Sequence, residues 1–146
     1  MKKIVFVVVG FVVAIQFIRP DFHNPAVDEK VALNTDAHVM GVLKNSCYDC
    51  HSNETKYPWY HNVAPVSWVM SNNIQSGRKA LDFSNWANID PAIKLQRLER
   101  AKQVINNAMM PKSEYLLMHK NAVLNSKEKQ ILEHFFDEEI QKIQRS

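Results

Sequence analysis

The chain has 146 residues, of which 46% are hydrophobic, 23% charged and 10% aromatic. That is one globular domain's worth, too apolar for disorder and too charged for a polytopic membrane protein. Three glycines give few of the tight turns of a β-sandwich or barrel, and two cysteines exclude a disulfide-dense scaffold. The formal charge of +3 comes from the first 19 residues, where Lys2, Lys3 and Arg19 stand without an acid. From Pro20 onward 15 basic residues face 15 acidic ones, and a neutral body has no electrostatic footprint for nucleic acid.

Lys2-Lys3 precedes an apolar run from Ile4 to Ile18, broken only by Gly10 and Gln16 and closed by Arg19-Pro20. A charged start before an apolar core is the pattern of a signal peptide or signal anchor. The run of 15 residues is short for a bilayer span of about 20, but flanking Lys and Arg snorkel and a bilayer thins locally. Val12-Val13-Ala14 is only a tolerable cleavage site and no Ala-x-Ala follows, so residues 1–19 read as an anchor ahead of a cleaved signal. Two Lys before the run and one Arg after it place the N-terminus inside and the body outside. Residues 20–34, with Asn24-Pro25, read as a polar tether, and residues 35–146 as the functional domain.

The domain reads as all-α. Thr35 or Asp36 caps a short helix through Lys44, with Val39, Val42 and Leu43 on one face. After Pro58 and Pro65 a helix is expected from Val66 to Gln75, capped near Gly77. Trp86 anchors a mixed stretch from Leu81 to Ile89. Asp90-Pro91 is the strongest helix start: Asp accepts the free amide hydrogens, and Pro at the first position has none to lose. Leu98, Ala101, Ile105 and Ala108 recur at helical spacing, and Pro111 is expected to stop this helix. A short helix holds Tyr115 to Met118, with Met118 in the core. Ser126 starts a last helix striped by Leu132, Phe135, Phe136, Ile140 and Ile143.

Cys47-Tyr48-Asp49-Cys50-His51 spells Cys-x-x-Cys-His, the c-type haem attachment pattern. On a turn of helix, positions i and i+3 share a face and i+4 lies beside them. Both thiols therefore reach vinyl groups of one porphyrin, and the His51 imidazole is aimed at its iron. With two Cys and six His in the chain, chance placement yields the pattern only about 6 times in 10,000, which favours haem over its rivals. A thioredoxin-like redox pair needs an α/β pattern, which is absent. A zinc site needs four ligands and would have to recruit His61 to Cys47, Cys50 and His51. Export agrees with haem, because attachment of this type occurs outside the cytoplasm.

The iron needs a sixth ligand or an open position. Met70, Met109, Met110, Met118, His38, His61, His119 and His134 are available, and most read as packing or surface. Met110 stands out because Pro111 follows it: a residue before Pro sits on extended chain at a helix end, where its side chain can cross a pocket. Met110 lies 59 residues after His51. Met109 is its direct competitor, and His61 comes next by ligand type.

The chain resembles the small single-haem "haem-binding domain" proteins of bacteria, a branch of the class I c-type cytochromes. The resemblance is carried by Gln16-Phe17-Ile18-Arg19-Pro20 with Asn24-Pro25, by Cys47 to Thr55, and by Tyr57-Pro58-Trp59-Tyr60. It continues through Ala64-Pro65-Val66-Ser67-Trp68 and Phe83-Ser84-Asn85-Trp86, and closes with Met110-Pro111, Tyr115-Leu116-Leu117 and His119. It implies one haem c held covalently by Cys47 and Cys50, His51 as proximal iron ligand and Met110 as distal ligand. It further implies a helical cytochrome fold on the periplasmic side of the inner membrane. Two departures show: Met109 duplicates the ligand type beside Met110, and Lys120-Asn121 follows His119 where the family tends to have Pro and an acid.

The leading expectation is an electron carrier rather than an enzyme, since Met/His ligation raises the reduction potential and leaves no open iron position. Its partners would be redox proteins, with membrane contact through the N-terminal segment. The alternative is a haem-based sensor or enzyme with a displaceable sixth ligand, for which His61 or His119 are the distal polar candidates. Tyr57, Trp59, Tyr60, Trp68 and Trp86 offer either a haem wall or ordinary core. Arg78 and Lys79 offer a propionate partner or a solvated helix end.

Overall fold

A computed structural model describes residues 1–145. Among the described residues every regular element is helical: α1 (Lys2–Ile15), α2 (Ala37–Ser46), α3 (Tyr48–His51), α4 (Val66–Ala80), α5 (Pro91–Asn106), α6 (Ser113–Met118) and α7 (Ser126–Arg145). Short 3₁₀ turns lie at Trp59–Asn62, Phe83–Asn88 and Lys120–Ala122. The all-α expectation holds.

The starts of α2 and α5 follow from their caps. Asp36 accepts from the His38 amide, and Asp90 accepts from the amides of Ala92 and Ile93 with Pro91 in the first turn. Amphipathic stripes then build the core. α7 packs on α5 and α2, burying Leu132, Phe135 and Phe136 against Leu98, Ile105, Val42 and Leu43. Trp86 joins this core with its ring 6.2 Å from that of Phe135.

Three local expectations are corrected. α4 does not end near Gly77 but runs on to Ala80, with Gly77 buried inside it. The α5 stripe stops at Asn106, before Ala108 and well before Pro111. Its terminator is a Schellman turn: Ala108 N–H bonds to the Ile105 carbonyl and Met109 N–H to the Val104 carbonyl, with Ala108 at φ 54°. Met118, expected in the core, is exposed.

The stretch expected as a tether is held to the body. Asn24 donates to the Thr55 carbonyl and accepts from Tyr57 and Arg78. Leu33 is buried, and backbone bonds join Leu33 to Phe83 and Val31 to Ala87. No residue of α1 is buried, and no described helix is long and apolar enough to cross a membrane.

Candidate functional site

α2 delivers the motif. Cys47 closes α2, its amide bonding to the Leu43 carbonyl, and at the same time opens α3, its carbonyl accepting from the amides of Cys50 and His51. One turn therefore carries both thiols and the imidazole. That turn lies directly on α4, and the contact is backbone to backbone. A Cβ on Gly77 would stand 2.3 Å from the Cys50 carbonyl oxygen. This close approach is why Gly77 sits inside a helix, where glycine costs stability; an isolated Gly in a helical pattern is the sequence signal that would have found it.

His51 Nδ1 lies 2.9 Å from the Leu81 carbonyl oxygen, at the residue that ends α4. A carbonyl only accepts, so Nδ1 carries the proton and the lone pair falls on Nε2, the tautomer a metal-bound histidine needs. Burial pushes the imidazole pKa below its usual 6.5 against the pull of this bond, so the neutral, ligating form dominates at pH 7. Burial, with Cys50 nearby, pushes the Cys47 thiol up to about 12. Burial and then Asp49 push Cys50 up to about 11, opposed by Lys112 and Arg78. Redox-active cysteines are activated by depressed pKa values, whereas burial raises both of these.

The segment after the motif is pinned from both sides. The fully buried Ser52 hydroxyl donates to the Tyr48 carbonyl and accepts from the Glu54 amide. The Asn53 amide donates to Ser84 Oγ. Arg78 donates to the Ser52 carbonyl, Thr55 Oγ1 and Asn24 Oδ1. Arg78 is thus not a solvated helix end, and the oxygens it meets are all neutral; Lys79 is exposed.

The methionine segment reaches the motif through α6. Tyr115 donates to Asp49 Oδ2 at 2.7 Å, while Asp49 Oδ1 accepts from the Lys56 amide. Lys112 donates to Asn73 on α4. Burial and the Asp49 carboxylate raise the Tyr115 pKa far above 10, so the phenol stays a donor. Met110 is partly buried and borders the same apolar cluster as Cys47, whereas Met109 is 55% exposed. The departure at Lys120-Asn121 is accommodated by a 3₁₀ turn in which Asn121 exchanges two hydrogen bonds with Asn45 of α2.

The remaining candidates lie elsewhere. His61 Nδ1 is 2.6 Å from the Pro58 carbonyl oxygen, and its ring packs edge-on against Phe22. His119 stacks on Tyr115 at 4.0 Å and has Nδ1 3.1 Å from the Tyr115 carbonyl oxygen. His38 and His134 are exposed. Trp86 is core, while Trp59 and Trp68 are exposed. A cleft of about 500 Å³ between α2, Tyr57-Pro58 and α6 touches Asp49 but none of Cys47, Cys50, His51 or Met110.

This donor set fits haem better than a small ion. Among the described residues no group of three His, Cys, Asp or Glu side chains could hold a metal ion. A porphyrin supplies four iron ligands itself, so it needs only one imidazole and two anchoring thiols along a turn. The buried Ser46 hydroxyl, beside Cys47, has no hydrogen-bond partner, as expected of a wall that another group completes.

Comparison with curated proteins and with solved structures finds no match. The model of the haem-binding domain family matches residues 10–138. That span runs from within α1, through the Cys47–His51 turn and Met110, into α7, and the chain belongs to the haem-binding domain family.

Proposed function

We propose that the protein is an exported mono-haem c-type cytochrome that carries electrons between redox partner proteins. Cys47 and Cys50 hold haem c through thioethers, His51 Nε2 is the proximal ligand and Met110 the distal one. Residues 4–18 hold the body at the periplasmic side of the inner membrane. The observation that carries this reading is the His51 Nδ1–Leu81 hydrogen bond. It orients a neutral imidazole one residue after a thiol, on a turn whose backbone lies directly against Gly77 of α4.

Bound haem iron would supply the one-electron couple; the protein's part is to hold and tune it. Cys47 and Cys50 would hold the haem as thioethers, each thiol being added across one vinyl group with its hydrogen retained on the second carbon. The Leu81 carbonyl keeps the His51 ring in register and raises its basicity. Met110 is partly buried where Met109 is exposed, which supports Met110 over Met109 as the distal ligand. His119 stacks on Tyr115 and His61 packs edge-on against Phe22, so both rings are held in aromatic contacts, which supports the carrier over a sensor or enzyme with a displaceable ligand.

The test is a pyridine haemochrome spectrum of the exported protein, with haem staining after denaturing electrophoresis. The expected result is one covalent haem per chain, lost when Cys47 and Cys50 are both replaced by Ala. The ferric protein should show a methionine–iron charge-transfer band that vanishes in Met110→Ala, and the ferrous protein should resist carbon monoxide. Stainable haem in the double cysteine variant refutes attachment. Ready carbon monoxide binding by the wild type refutes the carrier reading, and loss of the band in Met109→Ala alone moves the ligand by one residue.

A further inference from the structure

From Tyr57 to Gly77 the chain runs 21 residues without Asp, Glu, Lys or Arg, where its average of 23% would place about five. This stretch is not withdrawn into the core. Trp59 is 79% exposed, and Val63, Val66, Trp68 and Val69 are exposed as well. Val66 and Val69 lie three apart on α4 and share a face, and the Trp59–Asn62 turn packs on α4. An uncharged, aromatic-bearing surface of this kind marks an interaction site.

The same surface receives the base of α1. Gln16 Nε2 donates to the Ala64 carbonyl and to the Val12 carbonyl of α1, and Gln16 Oε1 accepts from the Ala64 amide. The Trp68 indole N–H donates to the Ile18 carbonyl at 2.8 Å. The apolar helix is therefore pinned to this face at its exit point, where Phe17 and Ile18 are exposed.

We propose that the face formed by Trp59, Val63, Val66, Trp68 and Val69 docks on the lipid bilayer, so that the haem domain lies on the membrane in one fixed orientation. The proposal rests on the reading of residues 4–18 as an anchor. Two features select lipid as the occupant. Trp is enriched where hydrocarbon meets headgroups, its body apolar and its N–H wet. The length of α1 needs such a surface: its 14 residues span about 21 Å, short of a hydrocarbon core of about 30 Å. A body whose own apolar face sits at the headgroup boundary lets Phe17, Ile18 and that face cover the deficit.

The experiment uses the full-length, haem-loaded protein in phosphatidylethanolamine–phosphatidylglycerol vesicles. The vesicles carry a phospholipid with a diazirine near the top of one acyl chain. Flotation first reports anchoring; photolysis and peptide mass spectrometry then map lipid adducts. Adducts should fall in α1 and in the Trp59–Val69 peptide, the latter at least about fivefold above α7, as for a surface in the headgroup layer. Trp59→Ser with Val69→Asp, both at exposed positions, should float as wild type yet lose most adducts outside α1. Flotation with adducts in α1 alone overturns the docking face and leaves the anchor standing. Failure to float overturns the anchor and the docking with it. Cross-links between Trp59–Val69 peptides of two copies, without lipid adducts, assign the face to a second copy and overturn the proposal.

Discussion

Where α5 meets α7, Leu98, Ile105, Leu132, Phe135 and Phe136 interdigitate, with an ion pair between Lys102 and Asp137 alongside. Where α3 meets α4, a glycine hydrogen stands against the Cys50 carbonyl, and the neighbouring bonds run from Arg78, Ser52 and Asn24 to backbone and polar groups. The first contact is side-chain packing, which loses stability in proportion to the volume removed. The second is a backbone approach that a single added carbon blocks. Stability should therefore be spread through the helical core, whereas haem competence should hang on a few atoms around Gly77, Leu81 and Asp49.

The largest effect is expected from Gly77→Ala. Cβ and the Cys50 carbonyl oxygen cannot share 2.3 Å, so α3 must lift from α4, at a cost of about 3 kcal/mol or more. Holoprotein yield should fall about tenfold, read by haem stain against immunoblot, and a wild-type yield would show that the contact is looser than described. Leu132→Ala, at a fully buried position, should cost about 2–5 kcal/mol in a thermal melt, with haem per folded chain unchanged. Loss of haem from folded Leu132→Ala protein would join the two regions into one unit.

Tyr115→Phe removes the donor to Asp49 at a cost of about 1.5 kcal/mol, the lower end for a bond to a charged partner. Because that bond ties the methionine segment to the motif, the variant should keep its covalent haem but weaken the methionine–iron band and admit carbon monoxide. An unaltered band would confine Tyr115 to stability. The smallest effects should be gains. Ala108→Gly relieves a left-handed backbone, φ 54°, and should add about 0.5–1 kcal/mol. Gly41→Ala, with nothing within 4 Å of the new Cβ, should add a similar amount by helix propensity. A loss at Gly41 as severe as at Gly77 would erase the distinction between a packing glycine and an idle one.

Much of the fold was legible because its signals are local. Asp36 and Asp90 cap helices with their own oxygens, the α7 stripe repeats at helical spacing, and Cys47, Cys50 and His51 share a turn by spacing alone. Met110 was distinguishable from Met109 only through Pro111, and the structure adds its partial burial. The end of α5 was misread through a local Schellman turn, but at other misread positions the role depends on something distant in sequence. Gly77 looks like a cap until Cys50 arrives beneath it. Arg78 looks like a solvated helix end until Ser52, Thr55 and Asn24 converge on it. Trp59 and Trp68 look like core from composition and are exposed in the fold.

The sequence by itself determined the all-helical class, the helix starts and the grouping of the two thiols with one imidazole, since each is set by residues within a turn of one another. The tertiary structure decided which His51 nitrogen meets the Leu81 carbonyl, which glycine meets the Cys50 backbone, how α6 latches onto Asp49 and which aromatic residues are exposed. Those outcomes come from hydrogen bonds and contacts between residues 27 to 66 positions apart, such as Cys50 with Gly77, His51 with Leu81 and Asp49 with Tyr115, and chain-local propensity carries no record of such pairings.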